Sequence, residues 1–166
     1  MTVTWVNKAG ARRQRTGLVR EQGITSMNFQ GTGSFEGLSA DAIEELLDRT
    51  PGLIPEVGEK TPGKIRIWRE QIVSFRDDME VGHRILTPLP GDEGFAIAVV
   101  VGPYEYRSTL DEERASHTRR VEWSKKVLGR TDLRDGLYEQ LQRPGRTVYR
   151  PRKNNAQARL KNLEID

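Results

Sequence analysis

Between Val99 and Trp123 the chain sets ring and guanidinium side chains at alternating positions. Tyr104 and Tyr106 are followed by Arg107 and, after a polar loop, by His117, Arg119, Arg120 and Trp123. Rings stack on nucleobases, and the planar arginine fork grips phosphates and base edges. Alternation puts Tyr104 and Tyr106 on one face of a strand and Val121 and Trp123 on one face of another, with Arg107 and Arg120 on the opposite faces. Phe29 and Trp68 are further rings that could wall a base. Each candidate has a plainer role as well. Trp68 sits on an apolar helical stripe, and Trp5 and Trp123 can fill a small core. Arg119 and Arg120 alternate, so one of them faces a given groove while the other is a surface base. His117 either meets a phosphate or caps its strand.

Signs of bond-making chemistry are missing. The common metal-dependent nucleases need an acid two residues before a lysine, and none of the seven lysines (8, 60, 64, 125, 126, 153 and 161) has one. The two histidines, His83 and His117, stand at no metal-ligand spacing, and with no cysteine thiol chemistry, disulfides and cysteine–zinc sites are excluded. Gly31-Thr32-Gly33 lacks the third glycine of a dinucleotide fingerprint. Gly58-Glu59-Lys60-Thr61 lacks the Gly-Lys pair of a phosphate loop. No serine–histidine–acid signature occurs. No catalytic residue, metal or cofactor is therefore expected; a remote nuclease or hydrolase would have to use Asp77, Asp78 or Glu80.

Strands are expected over Thr2–Val6, Gly23–Phe29, Arg84–Leu89, Phe95–Val101, Tyr104–Arg107, His117–Val127 and Arg146–Arg150. The run 96–101 is apolar on both faces and should be central. Ser39 is a suitable N-cap for a helix to Arg49. Ile65, Trp68, Ile72, Phe75 and Met79, spaced 3, 4, 3, 4, predict a helix from Lys64 to about Glu80. The stretch between Gly10 and Gly17 reads as a loop or short helix, residues 51–63 as a loop, and 131–135 and 137–141 as short helical turns. The expected class is α+β, a small curled β-sheet or barrel of about six strands with flanking helices. Residues 1–150 form the domain, and 151–166 a basic tail or short helix.

The 166 residues fit one domain, and 35% hydrophobic content with 16 glycines permits a modest core. No segment approaches the roughly 18 apolar residues of a membrane span, and the first residues lack signal-peptide character, so a cytoplasmic protein is expected. The net charge of +3 hides strong polarity. Residues 1–20 carry five bases and no acid, residues 36–59 seven acids and one base, and residues 143–166 seven bases and two acids. Twenty of the 27 bases are arginine. That is the footprint of a nucleic-acid binder, and equally of a GC-rich genome, which inflates arginine with no functional meaning.

Gly102, Tyr104, Tyr106, His117, Arg119, Val121 and Trp123 follow, in order and spacing, a strand "G-x-Y-x-Y", a loop, and a strand "h-x-R-x-V-x-W". The chain in this respect resembles the reader domains of modification-dependent restriction systems, within the PUA-like group that includes EVE and YTH domains. Leu137, Leu141 and Thr147-Val148 resemble the family's ending, Trp5–Gly10 its opening, and Gly23–Phe29 its second strand, so the likeness spans residues 3–150. Phe29 stands where the family usually has Trp, and His83 where it has an acid, both on the pocket side; a different modified base, or binding without base flipping, would account for this.

The resemblance implies binding of duplex DNA that carries a modified base. 5-Methylcytosine is the first expectation and N6-methyladenine the second. An aromatic concavity with a basic rim would hold the base through Phe29, Trp68, Tyr104, Tyr106, Arg107, His117, Arg119, Arg120 and Trp123, without catalysis. Modified double-stranded DNA is the expected partner, in a nucleoid-associated setting, with a separate nuclease where the DNA is to be cut. The alternatives are an RNA-binding PUA-like module and a protein-interaction domain that uses the acidic segment 36–59.

Overall fold

Alternating burial along short β-branched segments builds one sheet. The computed structural model describes residues 2–8, 15–53, 58–142 and 146–165. Its elements are β1 (Thr4–Asn7), α1 (Thr16–Gln22), β2 (Ile24–Met27), α2 (Ala40–Arg49), α3 (Pro62–Val73), β3 (Arg84–Pro88), β4 (Phe95–Tyr106), β5 (His117–Leu128), α4 (Leu137–Gln142), β6 (Val148–Tyr149) and α5 (Ala156–Lys161). The strands form one open sheet in the order β2-β5-β4-β3-β1-β6. Neighbours run antiparallel except for β1 and β3, which run parallel. The class is α+β, as expected.

Both faces of the sheet are covered. Trp5, Ile85, Ala98, Val100 and Val121 face α2 and α3, where they meet Ile43, Leu47, Ile65, Trp68 and Ile72. Val6, Leu86, Phe95, Ile97 and Leu128 face α4 and α5, where they meet Leu137, Leu141, Ala156 and Leu160. The central position of β4 explains why residues 96–101 are apolar on both sides. Side-chain caps start the two longer helices: Ser39 accepts from the Ala42 N–H at 3.1 Å, and Thr61 from the Lys64 N–H at 3.2 Å. The Lys60 ammonium donates to the carbonyls of Leu47, Asp48 and Thr50 and so caps the C-terminal end of α2.

Two local expectations need correction. Residues 95–101 and 104–107 do not form separate strands; β4 runs unbroken to Tyr106 and absorbs Gly102-Pro103 as a bulge. The long helix starts at Pro62, because Thr61 caps it, and its last turn widens into a π turn over Ser74–Asp78, closed by the Met79 N–H on Ser74 O at 2.9 Å. Residues 151–166, read as a basic tail or a short helix, do carry a short helix. Within them α5 packs on the second core, Gln157 exchanges hydrogen bonds with both backbone groups of Thr4, and the Leu160 and Leu163 carbonyls accept from Arg84. The basic stretch from Gly10 onward lies partly outside the described residues; from Thr16 it is helical. Among the described residues no helix is long and apolar enough to cross a membrane.

The sheet curls far enough for β1, fifth in the order, to reach the edge strand β2. The Asn7 carboxamide donates to Thr25 Oγ1 at 2.7 Å and to Ser26 O at 2.8 Å. A side chain thus bridges a gap that no backbone ladder closes. The tight β3–β4 turn also needs its glycine: Gly94 has φ +113°, and a Cβ there would lie 2.4 Å from Leu128 O. We expect Asn7→Ala to lower stability by about 2 kcal/mol, because it leaves a buried hydroxyl and carbonyl short of a donor. Urea unfolding followed by circular dichroism checks this.

Candidate nucleic-acid interface

The β4–β5 register aligns the predicted residues. Val100 faces Val121, Tyr104 faces Arg119 and Tyr106 faces His117. Between the first two of these pairs β4 spends Val101, Gly102 and Pro103 against Arg120 alone, so two extra residues bulge out while the face of each later residue is kept. Glycine suits the bulge, since a Cβ at Gly102 would come within 3.2 Å of Arg120 Cβ. The bulge also leaves the Gly102 carbonyl free to accept from Arg119.

Arg119 is only 3% exposed, yet no carboxylate pairs with it among the described residues. Its Nε and one terminal nitrogen donate to Gly102 O at 3.0 and 2.9 Å. The other terminal nitrogen donates to Phe75 O at 3.1 Å and to Met79 O. Burial lowers its pKa, but a guanidinium remains protonated, so its charge is met by backbone dipoles. Phe75 and Met79 close the helical run begun by α3, where carbonyls lack intrahelical partners and the helix dipole is negative.

His117 is 1% exposed and organises the rings around it. The Phe35 N–H donates to the Tyr104 hydroxyl at 3.0 Å, which directs the hydroxyl proton to His117 Nδ1, 2.8 Å away. That assignment leaves the ring proton on Nε2, which faces Thr32 Oγ1 at 3.0 Å and Phe29 O at 3.4 Å. Phe35 stacks on the imidazole at 4.2 Å and 13°, and Tyr106 lies near-parallel at 5.3 Å. Phe29 meets both His117 and Trp68 edge-on.

The structure therefore gathers Phe29, Trp68, Tyr104, Tyr106 and His117 into one cluster, with Arg119 beside it. Phe29, Trp68 and His117 are interior, whereas Tyr104 and Tyr106 are partly exposed. Three predicted residues stand apart. Trp123 donates from Nε1 to Val19 O of α1 at 3.2 Å, Arg107 lies 3.7 Å from Glu105, and Arg120 points to solvent. Phe35 and Thr32 complete the cluster and escaped sequence reasoning. Their one signal is that Phe35 is the sole large apolar residue in the glycine-rich segment 31–37.

A cleft opens on the far side of the same π turn. It encloses about 690 Å³ and is lined by Trp5, Gln71, Ser74, Asp77, Asp78, Glu80, Arg146, Val148, Tyr149, Arg150 and Arg152. Its lining thus combines arginines from the β6 region with carboxylates of the π turn and Glu80, beside the carboxamide of Gln71 and the hydroxyl of Ser74. Asp77 is held by both nitrogens of the Arg76 fork at 2.7 and 2.8 Å, which lowers its pKa, and Arg146 pairs with Glu70 at 2.7 Å. Asp78 has no bonded partner among the described residues, and Arg150 Nε is buried there without one. His83 braces the floor: its Nδ1 accepts from Trp5 Nε1 and from the Glu80 N–H, each at 3.1 Å. Burial lowers the His83 pKa, in keeping with that acceptor role. Burial also pushes the Tyr149 phenol up to about 12. Among the described residues no three histidine or acidic side chains converge on a metal-sized site.

The profile of a family described as a domain of unknown function (DUF8426) matches residues 5–150. The chain belongs to that family. The DUF8426 match begins at Trp5, on the floor of the cleft, and ends at Arg150, on its wall. No curated protein and no solved structure matches the chain.

Two tests follow for this DUF8426 domain. Arg119→Met should cost about 3 kcal/mol in urea unfolding, because it strips several buried carbonyls of charged donors. His117 sets a pH dependence, since burial pushes its imidazole from an ordinary 6.5 down to about 4. The unfolded chain then takes the proton first, so stability is full above pH 6.5 and falls by roughly 3 kcal/mol as pH drops toward 4. His83 adds in the same direction. His117→Gln, although less stable at pH 7, should lose less between pH 7 and 4 in parallel denaturation curves.

Proposed function

We propose that this domain binds duplex DNA carrying a modified base, 5-methylcytosine first and N6-methyladenine second, and makes or breaks no bond itself. The observation that supports this reading is the cleft: a recess of about 690 Å³ lined by Trp5 and by Arg146, Arg150 and Arg152. A recess of that size accommodates a single extruded base, and arginines at its mouth suit the flanking phosphates. The interior rings Phe29, Trp68 and His117 then act as scaffold, and Tyr104 and Tyr106 offer their exposed edges to the duplex.

The energetics are consistent. Extrusion costs a few kcal/mol, stacking returns about 1–3 kcal/mol per base, and phosphate contacts add to this. A buried methyl contributes only about 0.8 kcal/mol, so shape and hydrogen bonds must carry the rest of the discrimination. In this reading the protein works in the cytoplasm at the nucleoid, and a separate nuclease does any cutting.

Competitive fluorescence anisotropy at physiological salt tests it. The duplexes carry cytosine, 5-methylcytosine, 5-hydroxymethylcytosine, adenine or N6-methyladenine, with an RNA duplex alongside. One modified DNA should bind more tightly than its unmodified counterpart. Arg150→Ala and Arg152→Ala should each reduce the salt slope by about 0.9 if each neutralises one phosphate. Equal affinity for every duplex, RNA included, would overturn the reading.

A further inference from the structure

One residue on the buried stripe of α3 is polar. Gln71 is 6% exposed, and its Oε1 accepts from the Val148 N–H at 2.9 Å, which fixes the carboxamide with Nε2 as its free end. The residue lines the cleft, and Nε2 has no hydrogen-bond partner among the described residues and is not sealed in the core. A donor on so buried a side chain is normally matched. Ser74, one turn further on, lines the cleft as well, and its hydroxyl also has no partner among the described residues.

The bond from Gln71 brings α3 against the segment that carries Arg150, two residues beyond Val148 and on the same cleft. The three arginines of the lining are not alike. Arg146 is paired with Glu70, and Arg152 is exposed. Arg150 is partly buried, its Nε is closed off from solvent, and its guanidinium has no hydrogen bond or ion pair among the described residues. The carboxylates of the lining do not neutralise it. Asp77 is taken by Arg76, and Asp78 and Glu80 are exposed side chains that water solvates and salt screens. A permanently charged fork held partly out of water, with no counter-ion bonded to it, is complementary to an anion.

We infer that Gln71, Arg150 and Ser74 form a phosphate site in the cleft, which takes one phosphate group of a nucleotide. The guanidinium supplies charge and a planar fork, and the carboxamide and hydroxyl supply neutral donors from a second element. Donors that come from two elements suit the tetrahedral spread of phosphate oxygens better than the single plane of a carboxylate. The phosphate belongs either to the backbone of a duplex or to a free nucleotide. The site therefore shares the cleft with the DNA-reading function proposed above but stands without it.

Heteronuclear NMR of isotope-labelled protein tests the site, because the Gln71 carboxamide and the buried Arg150 Nε–H each give a signal. The ligands are inorganic phosphate, deoxycytidine monophosphate, deoxycytidine and acetate, titrated at constant ionic strength. Phosphate and the monophosphate should shift both signals saturably, whereas deoxycytidine and acetate should not. Gln71→Glu keeps an acceptor for the Val148 N–H but turns the free donor into an acceptor, and Arg150→Gln removes the charge. Each should weaken phosphate binding at least about tenfold, with thermal melts confirming that the variants fold. A short duplex that displaces phosphate would assign the group to the DNA backbone, and bound deoxycytidine monophosphate that no duplex displaces would assign it to a free nucleotide; either bears the site out. Signals that phosphate leaves unmoved, acetate that binds as tightly, or folded variants of unchanged affinity would overturn it. A preference for a modified duplex in such a protein would leave the reader function standing. A working phosphate site in a protein indifferent to base modification would overturn the reader function alone.

Discussion

The domain depends on one buried positive charge. Arg119 projects from β5 into the interior and, among the described residues, hydrogen-bonds only backbone carbonyls, those of Gly102 on the bulge of β4 and those of Phe75 and Met79 at the end of the long helix. A lone ion in such a place would be prohibitively costly. The unspent carbonyls of a helix terminus supply the compensating negative potential, and the bulge supplies the rest. Three segments far apart in the chain are fixed by one side chain. Because the outer side of the same turn lines the cleft, the interior sets the shape of the surface.

The other polar groups of the interior act in a similar way. His117, Tyr104 and Thr32 form a hydrogen-bonded chain that pins the segment after β2 over the sheet, with Phe35 stacked on the imidazole. His83 joins the indole of Trp5 to the backbone of Glu80. Each is a neutral imidazole that accepts at Nδ1. Satisfied buried networks of this kind are directional where apolar packing is not, and they choose one arrangement among several that bury equal area.

What could be read in the sequence followed period. The stripe Ile65, Trp68, Ile72, Phe75 and Met79 is buried along its whole length, and residues 96–101 form the middle of the sheet. The alternation at 104, 106, 117 and 119 did bring those side chains to one face. Features that break a period were hidden. The bulge at Gly102 reads as an interruption between two strands, and the π turn at 74–78 looks like ordinary helix because its apolar spacing is unchanged. The cleft is assembled from Trp5, residues 71–80 and residues 146–152, which no local pattern links. Asn7 looks like any polar residue at a strand end until the curl of the sheet carries it to β2.

The strand order also has a consequence for how the protein is made. Among the described strands β1 comes earliest in the sequence, yet it pairs with β3 near residue 84 on one side and with β6 near residue 148 on the other. The β4–β5 hairpin, by contrast, can zip as soon as its own residues are available. One edge of β1 must therefore wait for β3 and the other for β6, with amide and carbonyl groups unpaired until those residues have been made. The contacts of Asn7 with Thr25 and Ser26, by contrast, need no residue beyond the β2 segment. The side chain that bridges the finished sheet can thus meet its partners before either ladder of β1 exists.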